Sequence, residues 1–366
     1  MQDGGGTALW PSAERMAGDA AKKVNGDVVQ TAGVGRAARL RFCSVILGFS
    51  AFYLCAIGLS WLGSRWLDSR PVVTIWQHRF TIGHLHDNFL PAGVITLLVV
   101  PAVFAVELLA VGWNRSSLRS LLSGRSASGF TDLACFALWH SHALQIPKIA
   151  LTFGAALVTG ARLHDFLRDH AGLALSLQAF PVPLQLIGYF LILTFCDYWQ
   201  HRLEHSRYFW PIHRYHHGAE EFHVLTSIRV HPANFSSVLT MTLPLALIDT
   251  PTAVVAVIGL CVSFHRFLIH SRIESDFGWV GRHLLQSPVS HRVHHRFEPA
   301  QPVANLSLFP VWDRLFGTWQ EGGSQDVVIG VSAPYRQGAW ILPDMWRDYL
   351  EFLARLAALL RPRKTP

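Results

Sequence analysis

Twenty histidines stand in a chain of 366 residues, and eight of them fall in three clusters whose spacing suits metal chemistry. The first is His201-Arg-Leu-Glu-His205, an HxxxH pair. The second is His213-Arg-Tyr-His216-His217 and the third His291-Arg-Val-His294-His295, both HxxHH. On a helix, residues at i, i+3 and i+4 share a face with Cβ atoms about 5–6 Å apart, so each cluster aims two or three imidazoles at one region. Imidazole nitrogen suits iron, zinc, copper or nickel. Eight such nitrogens are too many for a tetrahedral zinc site and fit two ions with positions left open for oxygen. A lone HxxxH carries little weight. Two HxxHH clusters and an HxxxH, all flanking membrane-length apolar runs, are a different matter, because titratable groups at a membrane boundary are costly unless used.

The elements that must position these clusters are apolar. Hydrophobic residues make up 51% of the chain and charged residues 15%, against about 25% charged in soluble domains, and mean hydropathy is +0.28. The net charge of +7 suits anionic headgroups or an acidic protein donor. Nucleic acid is excluded as a partner, because the basic residues edge the apolar runs and form no stripe with interleaved aromatics. The five cysteines (Cys43, Cys55, Cys135, Cys196, Cys261) lie in or beside apolar segments without a CxxC and read as buried small hydrophobes. Arginine far outnumbers lysine, which points to a GC-rich bacterial source and hence the inner membrane.

Residues 1–35 read as a disordered leader. Phe42 to Leu62, Phe89 to Trp113 and Phe180 to Trp199 are long enough to span a bilayer. Phe130 to Gly160 is interrupted by polar residues and fits one bent span or a shallow hairpin. Arg36, Arg39 and Arg41 precede the first span and Arg115, Arg119 and Arg125 follow the second, so both ends belong in the cytoplasm. Ser236 to Phe267 breaks at Asp249-Thr250-Pro251-Thr252 and is too short for two spans at about 20 residues each. It is expected to form a hairpin that enters and leaves on one side, which lets the clusters on its two flanks meet. Pro343 to Leu360 has helical apolar spacing and fits an interfacial amphipathic helix or a helix packed on the cap.

Several stretches together resemble the sterol desaturase and fatty acid hydroxylase superfamily of membrane non-haem diiron oxygenases. They are Asp197-Tyr-Trp-Gln-His201-Arg-Leu-Glu-His205, Phe209-Trp-Pro-Ile-His213-Arg-Tyr-His216-His217, Arg229-Val-His231-Pro, Ile269-His270-Ser, Pro288-Val-Ser-His291-Arg-Val-His294-His295 and Trp312-Asp313-Arg-Leu-Phe316-Gly317-Thr318. The likeness covers residues 180–320 and keeps the order of all pieces. It departs in one place: members commonly carry Asn-Tyr-Gly after the third box, and here stands Asn305-Leu306-Ser307.

The resemblance implies that His231 and His270 join His201, His205, His213, His216, His217, His291, His294 and His295 around two iron ions. His265, at i, i+5 from His270, lies off that helix face. Asp197, four residues before His201, is placed either to orient a ligand imidazole or to act as a cap or surface charge. Asp313 is expected to hold a loop. The fold implied is all-α: a multi-pass helical membrane protein with a cytoplasmic histidine-rich helical cap. Its divisions are 1–35 leader, 36–179 transmembrane region, 180–320 catalytic domain and 321–366 tail. The chemistry implied is O2-dependent hydroxylation or desaturation of an apolar lipid such as a sterol, fatty acyl lipid, sphingolipid or carotenoid. Without a flavin or nicotinamide motif, electrons must come from an external ferredoxin or cytochrome with its reductase. A histidine-rich metal transporter and a zinc-stabilised membrane protein are the rival readings.

Overall fold

Four helices are long and apolar enough to cross a membrane: Arg39–Gly63, Phe89–Val111, Val182–Glu204 and Thr252–Ile269. The structure is a computed structural model that describes residues 34–66, 72–75, 78–81, 85–124, 126–145, 147–148, 166, 169–170, 175–234, 248–297, 303–322, 327–338 and 341–359. The leader expected over 1–35 lies almost wholly outside them. The architecture is helical, and the chain is an integral membrane protein. Two short two-stranded ladders are the strand pairing among the described residues.

The first long helix, α1 (Val34–Gly63), leads to a hairpin of β1 (Val72–Ile75) and β2 (His78–Thr81). The return passes through α2 (Leu85–Val94), a π-helical segment Ile95–Val99 and α3 (Val100–Val111). The π segment begins four residues after Pro91, which lies inside α2. Phe42 packs on Phe104 while Phe52 packs on Phe89, so α1 runs antiparallel to this second span. Glu107, the only charge in the run, is fully buried and accepts from the backbone N–H groups of Ser117 and Arg272 and from the Ser117 hydroxyl. It thereby ties the end of α3 to the cap. Two cap helices follow, α4 (Ser117–Ser123) and α5 (Ala127–His140), each opened by a serine whose hydroxyl caps the backbone, Ser116 and Ser126. The 14 residues of α5 extend about 21 Å, short of a bilayer core. Most of the remainder of that apolar run lies outside the described residues.

The site depends on two further helices, α6 (Val182–Glu204) and, after the break in the fifth run, Thr252–Ile269. Each is preceded by a short strand, β3 (Leu175–Ser176) and β4 (Ile248–Asp249), and these pair in parallel. Tyr189 and Leu193 pack with Val254, Ile258 and Val262, and Asp197 pairs with Arg266 further along. The two helices therefore run in the same direction, from the β3–β4 ladder to the histidine clusters. The hairpin expectation needs correction in its second arm, which is one uninterrupted helix of 18 residues, about 27 Å long. The first arm lies mainly outside the described residues. Clusters on both flanks nevertheless arrive at one end of the bundle.

The exposed stripe of α6 is apolar (Leu184, Ile187, Leu191, Phe195, Trp199), while its buried side holds Gln185, Thr194, Asp197 and Glu204. That inversion is what a lipid-facing helix needs, since apolar side chains lose nothing in hydrocarbon and polar ones must find partners inside.

The cap comprises α7 (Trp210–His217), then, beyond α8 (Thr252–Ile269), α9 (Gly278–His283), α10 (Pro288–His294) and α11 (Val311–Leu315). The C-terminal helix α12 (Ile341–Leu359) packs on the cap: Tyr349 and Phe352 bury against Ile212 and Ala233, and Arg214 reaches Asp348 at 2.6 Å. Its other side leaves Leu342, Trp346, Leu350 and Leu353 exposed.

Candidate metal centre

Each ligand-bearing helix delivers its histidines from its last turn or its C-cap. His201 lies in the last turn of α6 and His205 is its C-cap; His213, His216 and His217 end α7; His270 is the C-cap of α8; His291 and His294 lie in α10, with His295 its C-cap. Pro211 starts α7, and Pro288 with a Ser287–Ser290 capping box starts α10. Both short helices thus have a fixed beginning and rotational phase.

The side chains gather into two adjacent groups. His201, His205, His213, His217 and His294 form one, and His216, His270, His291 and His295 the other, with the ligand atoms of each group within 4.8 Å of one another. The HxxHH motif divides between them. A helix turns about 100° per residue, so i and i+4 nearly superimpose while i+3 and i+4 point far apart. Accordingly His213 and His217 serve the first group and His216 the second; His291 and His295 serve the second and His294 the first. The groups touch where the His217 and His295 rings stack, with centroids 4.2 Å apart.

The contacts between nitrogens fit a cation better than hydrogen bonds. Nδ1 of His201 donates to the Leu306 carbonyl (2.6 Å), that of His213 to the Glu204 carboxylate (2.9 Å), that of His270 to the Arg266 carbonyl (2.7 Å) and that of His294 to the Ala304 carbonyl (2.8 Å). With Nδ1 donating, the Nε2 of a neutral ring presents a lone pair. Yet His201 Nε2 lies 3.2 Å from His213 Nε2, and His270 Nε2 lies 3.0 Å from His291 Nε2. Two lone pairs do not face each other this closely without a positive centre between them. Nitrogens about 2.1 Å from a shared metal stand roughly 3.3 Å apart. Several buried nitrogens, among them both of His205 and His295 and Nε2 of His294, have no hydrogen-bond partner among the described residues. The residues therefore fit two metal ions.

Electrostatics points the same way. Burial, reinforced by neighbouring imidazoles, holds His205, His216, His217, His291, His294 and His295 well below the usual histidine value, and burial brings His270 down to about 4. At neutral pH these rings are uncharged, the form that binds metal. Phe222 covers the second group through His270, His291 and His295, and Trp210 covers the first through His205 and His217.

Two expected site residues lie elsewhere. His231 joins neither group: its Nε2 donates to the Met345 carbonyl (2.7 Å) and its Nδ1 accepts from the Ala233 N–H (2.9 Å), so neither nitrogen is left for a metal. Asp197 shares the face of His201 but turns to the Arg266 guanidinium, and the His201 ring is held by Leu306 instead. The carboxylate that orients a ligand is Glu204, buried beside His213 and also bonded by Gln200 (2.9 Å) and Asn234 (2.9 Å). Sequence reasoning passed over it, although it stands inside the first box next to His205. Asp313 does hold a loop. It accepts from the Leu306 and Ser307 N–H groups (2.7 and 2.9 Å) and from Thr318 (2.7 Å), and so fixes the Leu306 carbonyl that grips His201. Asn305 adopts a left-handed φ of 51° there and donates to the Ser290 and Gln320 carbonyls.

Below the site lies a cavity of about 570 Å³, within the 300–1,000 Å³ range of small-molecule pockets. Its walls come from the π segment (Leu98, Val99), from α6 (Phe190) and from α8 (Leu260, Phe264), and it adjoins the site through Leu268 and Leu308. Each of the last two lies two residues from a site-forming position, His270 and Leu306. Leu98 and Leu260 are also exposed to the outside, so the cavity opens sideways between helices. His265 is the one titratable side chain in its lining.

No solved structure matches the chain. Residues 186–318, the segment that holds all three histidine clusters together with His270 and Asp313, match the fatty acid hydroxylase family. The site therefore sits in a fatty acid hydroxylase domain, and through that segment the chain belongs with the sterol desaturase and fatty acid hydroxylase superfamily, whose members are membrane oxygenases.

Proposed function

We propose that this protein is a membrane diiron oxygenase that hydroxylates or desaturates a lipid-like substrate. The observation that carries the reading is the pairing of two all-histidine groups, buried and neutral, with an apolar cavity that opens sideways. Nine histidines would hold the metals: His201, His205, His213, His217 and His294 for one ion, His216, His270, His291 and His295 for the other. When bound and reduced, an iron pair supplies the oxidising power to use O2 against an unactivated C–H bond. The chain supplies the rest. Glu204 and the Leu306, Ala304 and Arg266 carbonyls fix ring orientation, which tunes ligand basicity. Phe222 and Trp210 keep water away. The cavity admits an alkyl body from the bilayer and presents one of its carbons to the site.

The site faces the cytoplasm in this reading. The exposed Arg39 and Arg41 at the start of α1, and Arg115 beyond the end of α3, lie at the histidine end of the bundle, where the positive-inside rule puts cytoplasmic residues. Electrons reach it from a separate ferredoxin or cytochrome with its reductase, and a bacterial inner membrane suits the arginine-rich composition.

Metal analysis and oxygen uptake with a supplied reductase test the proposal. Purified protein should contain close to two irons per chain and consume O2 when lipid is added. His294→Ala should lose bound iron and all product. Zinc in place of iron with no oxygen uptake would favour a zinc-stabilised membrane protein, and full activity in His294→Ala would refute the site.

A further inference from the structure

The lining of the cavity is apolar except at His265 and the weakly polar Cys261. The His265 ring is hydrogen-bonded to the backbone carbonyl of Gln286, and Gln286 is itself held by its N–H on the Leu308 carbonyl (3.0 Å) and by its amide on Asn305. A carbonyl only accepts, so the ring nitrogen facing it carries the proton. The other nitrogen, Nε2, is buried and has no partner among the described residues. It belongs to neither metal group. A neutral ring protonated at Nδ1 offers at Nε2 a lone pair and nothing to donate. An unpaired acceptor in an apolar cavity costs free energy that a ligand can recover only by donating to it.

We infer that His265 Nε2 selects a lipid bearing a hydroxyl group, by accepting its O–H hydrogen bond inside the cavity. The inference rests on the reading of the cavity as the substrate site and narrows its substrate class. Esters, ketones and carboxylates offer only acceptors and leave Nε2 unpaired. A charged amine would have to shed its hydration in an apolar chamber. A hydroxyl on an apolar body meets both requirements. His265 precedes His270 by five residues, about 7.5 Å along the helix axis, so a hydroxyl anchored there puts a carbon several bonds away beneath the metals. His265 is thus a positioning residue that sets both which lipid enters and which carbon is presented.

The test uses full-length protein in detergent, with tritiated hexadecan-1-ol as probe and unlabelled hexadecan-1-ol or its methyl ether as competitors. The ether keeps the chain and the oxygen but cannot donate. Wild type should prefer the alcohol about tenfold, equivalent to about 1.4 kcal/mol. His265→Leu should bind the two alike. His265→Gln, which can present a carbonyl oxygen, should keep part of the preference. Metal content should be unchanged in both variants. Equal affinity of wild type for alcohol and ether, a preference that survives in His265→Leu, or loss of metal from either variant would overturn the inference. The wild-type comparison decides the matter even if a variant fails to fold. Iron analysis of the same wild-type sample tests the oxygenase reading separately.

Discussion

Glu204 and His231 exchange the parts that their neighbourhoods suggest. Glu204 is an inconspicuous carboxylate inside the first box, yet it fixes the His213 ring. Loss of such an outer partner typically costs 10–100-fold in metal affinity. Glu204→Gln should therefore weaken iron binding by about that factor, measured by competition with a chelator of known affinity. His231 sits in a motif position that invites assignment as a ligand but is spent on Met345 and Ala233. His231→Ala should leave iron stoichiometry unchanged and lower stability by about 1–3 kcal/mol, the cost of stranding a buried partner. A thermal melt alongside metal analysis separates the two roles. The histidine boxes were legible because their information is local: i, i+3 and i+4 on one helix. The partners of Asp197 and His231 were not, because Arg266 and Met345 are brought to them only by the packing of distant helices.

At the scale of the element, an HxxHH cluster proves to be a divider as well as a ligand set, since adjacent histidines point to different centres. His216→Ala should deplete the four-histidine group and His217→Ala the five-histidine group. Each variant should fall from about two bound ions toward about one, and the remaining ions should differ spectroscopically between the two. The cap that holds these helices carries its own buried network. The fully buried Asp132 pairs with Arg229 (2.6 Å) and accepts from Thr226 (2.5 Å), joining α5 to the segment that follows α7. Removing one member of a buried pair typically costs 3–5 kcal/mol, so Asp132→Asn should lower the unfolding midpoint sharply without touching a ligand. The apolar runs announced three of the four candidate spans. The π segment beside the cavity and the uninterrupted length of α8 were not legible, because hydropathy gives the position of apolar residues but not the hydrogen-bond register or the point where a helix starts.

At the scale of the molecule, the shared direction of α6 and α8 fixes which membrane face holds the chemistry. In an otherwise cysteine-free background, Trp279→Cys at the histidine end should react with a membrane-impermeant thiol reagent only in inside-out vesicles, and Asp87→Cys at the opposite end only in right-side-out ones. Both positions are exposed. The reverse pattern would put the site outside. The same shared direction has an electrical consequence. All four ligand-bearing helices finish at the two metal groups, and the carbonyl end of a long helix carries the equivalent of roughly half a negative charge. A ligand set made only of neutral rings brings no charge to offset two divalent cations, and the converging helix ends contribute some of what it lacks. Stripped of metal, those ends would be left pointing at one another around an empty middle. Chelation should therefore lower the melting temperature and speed amide exchange in the short helices α7 and α10 before it reaches the interiors of α6 and α8.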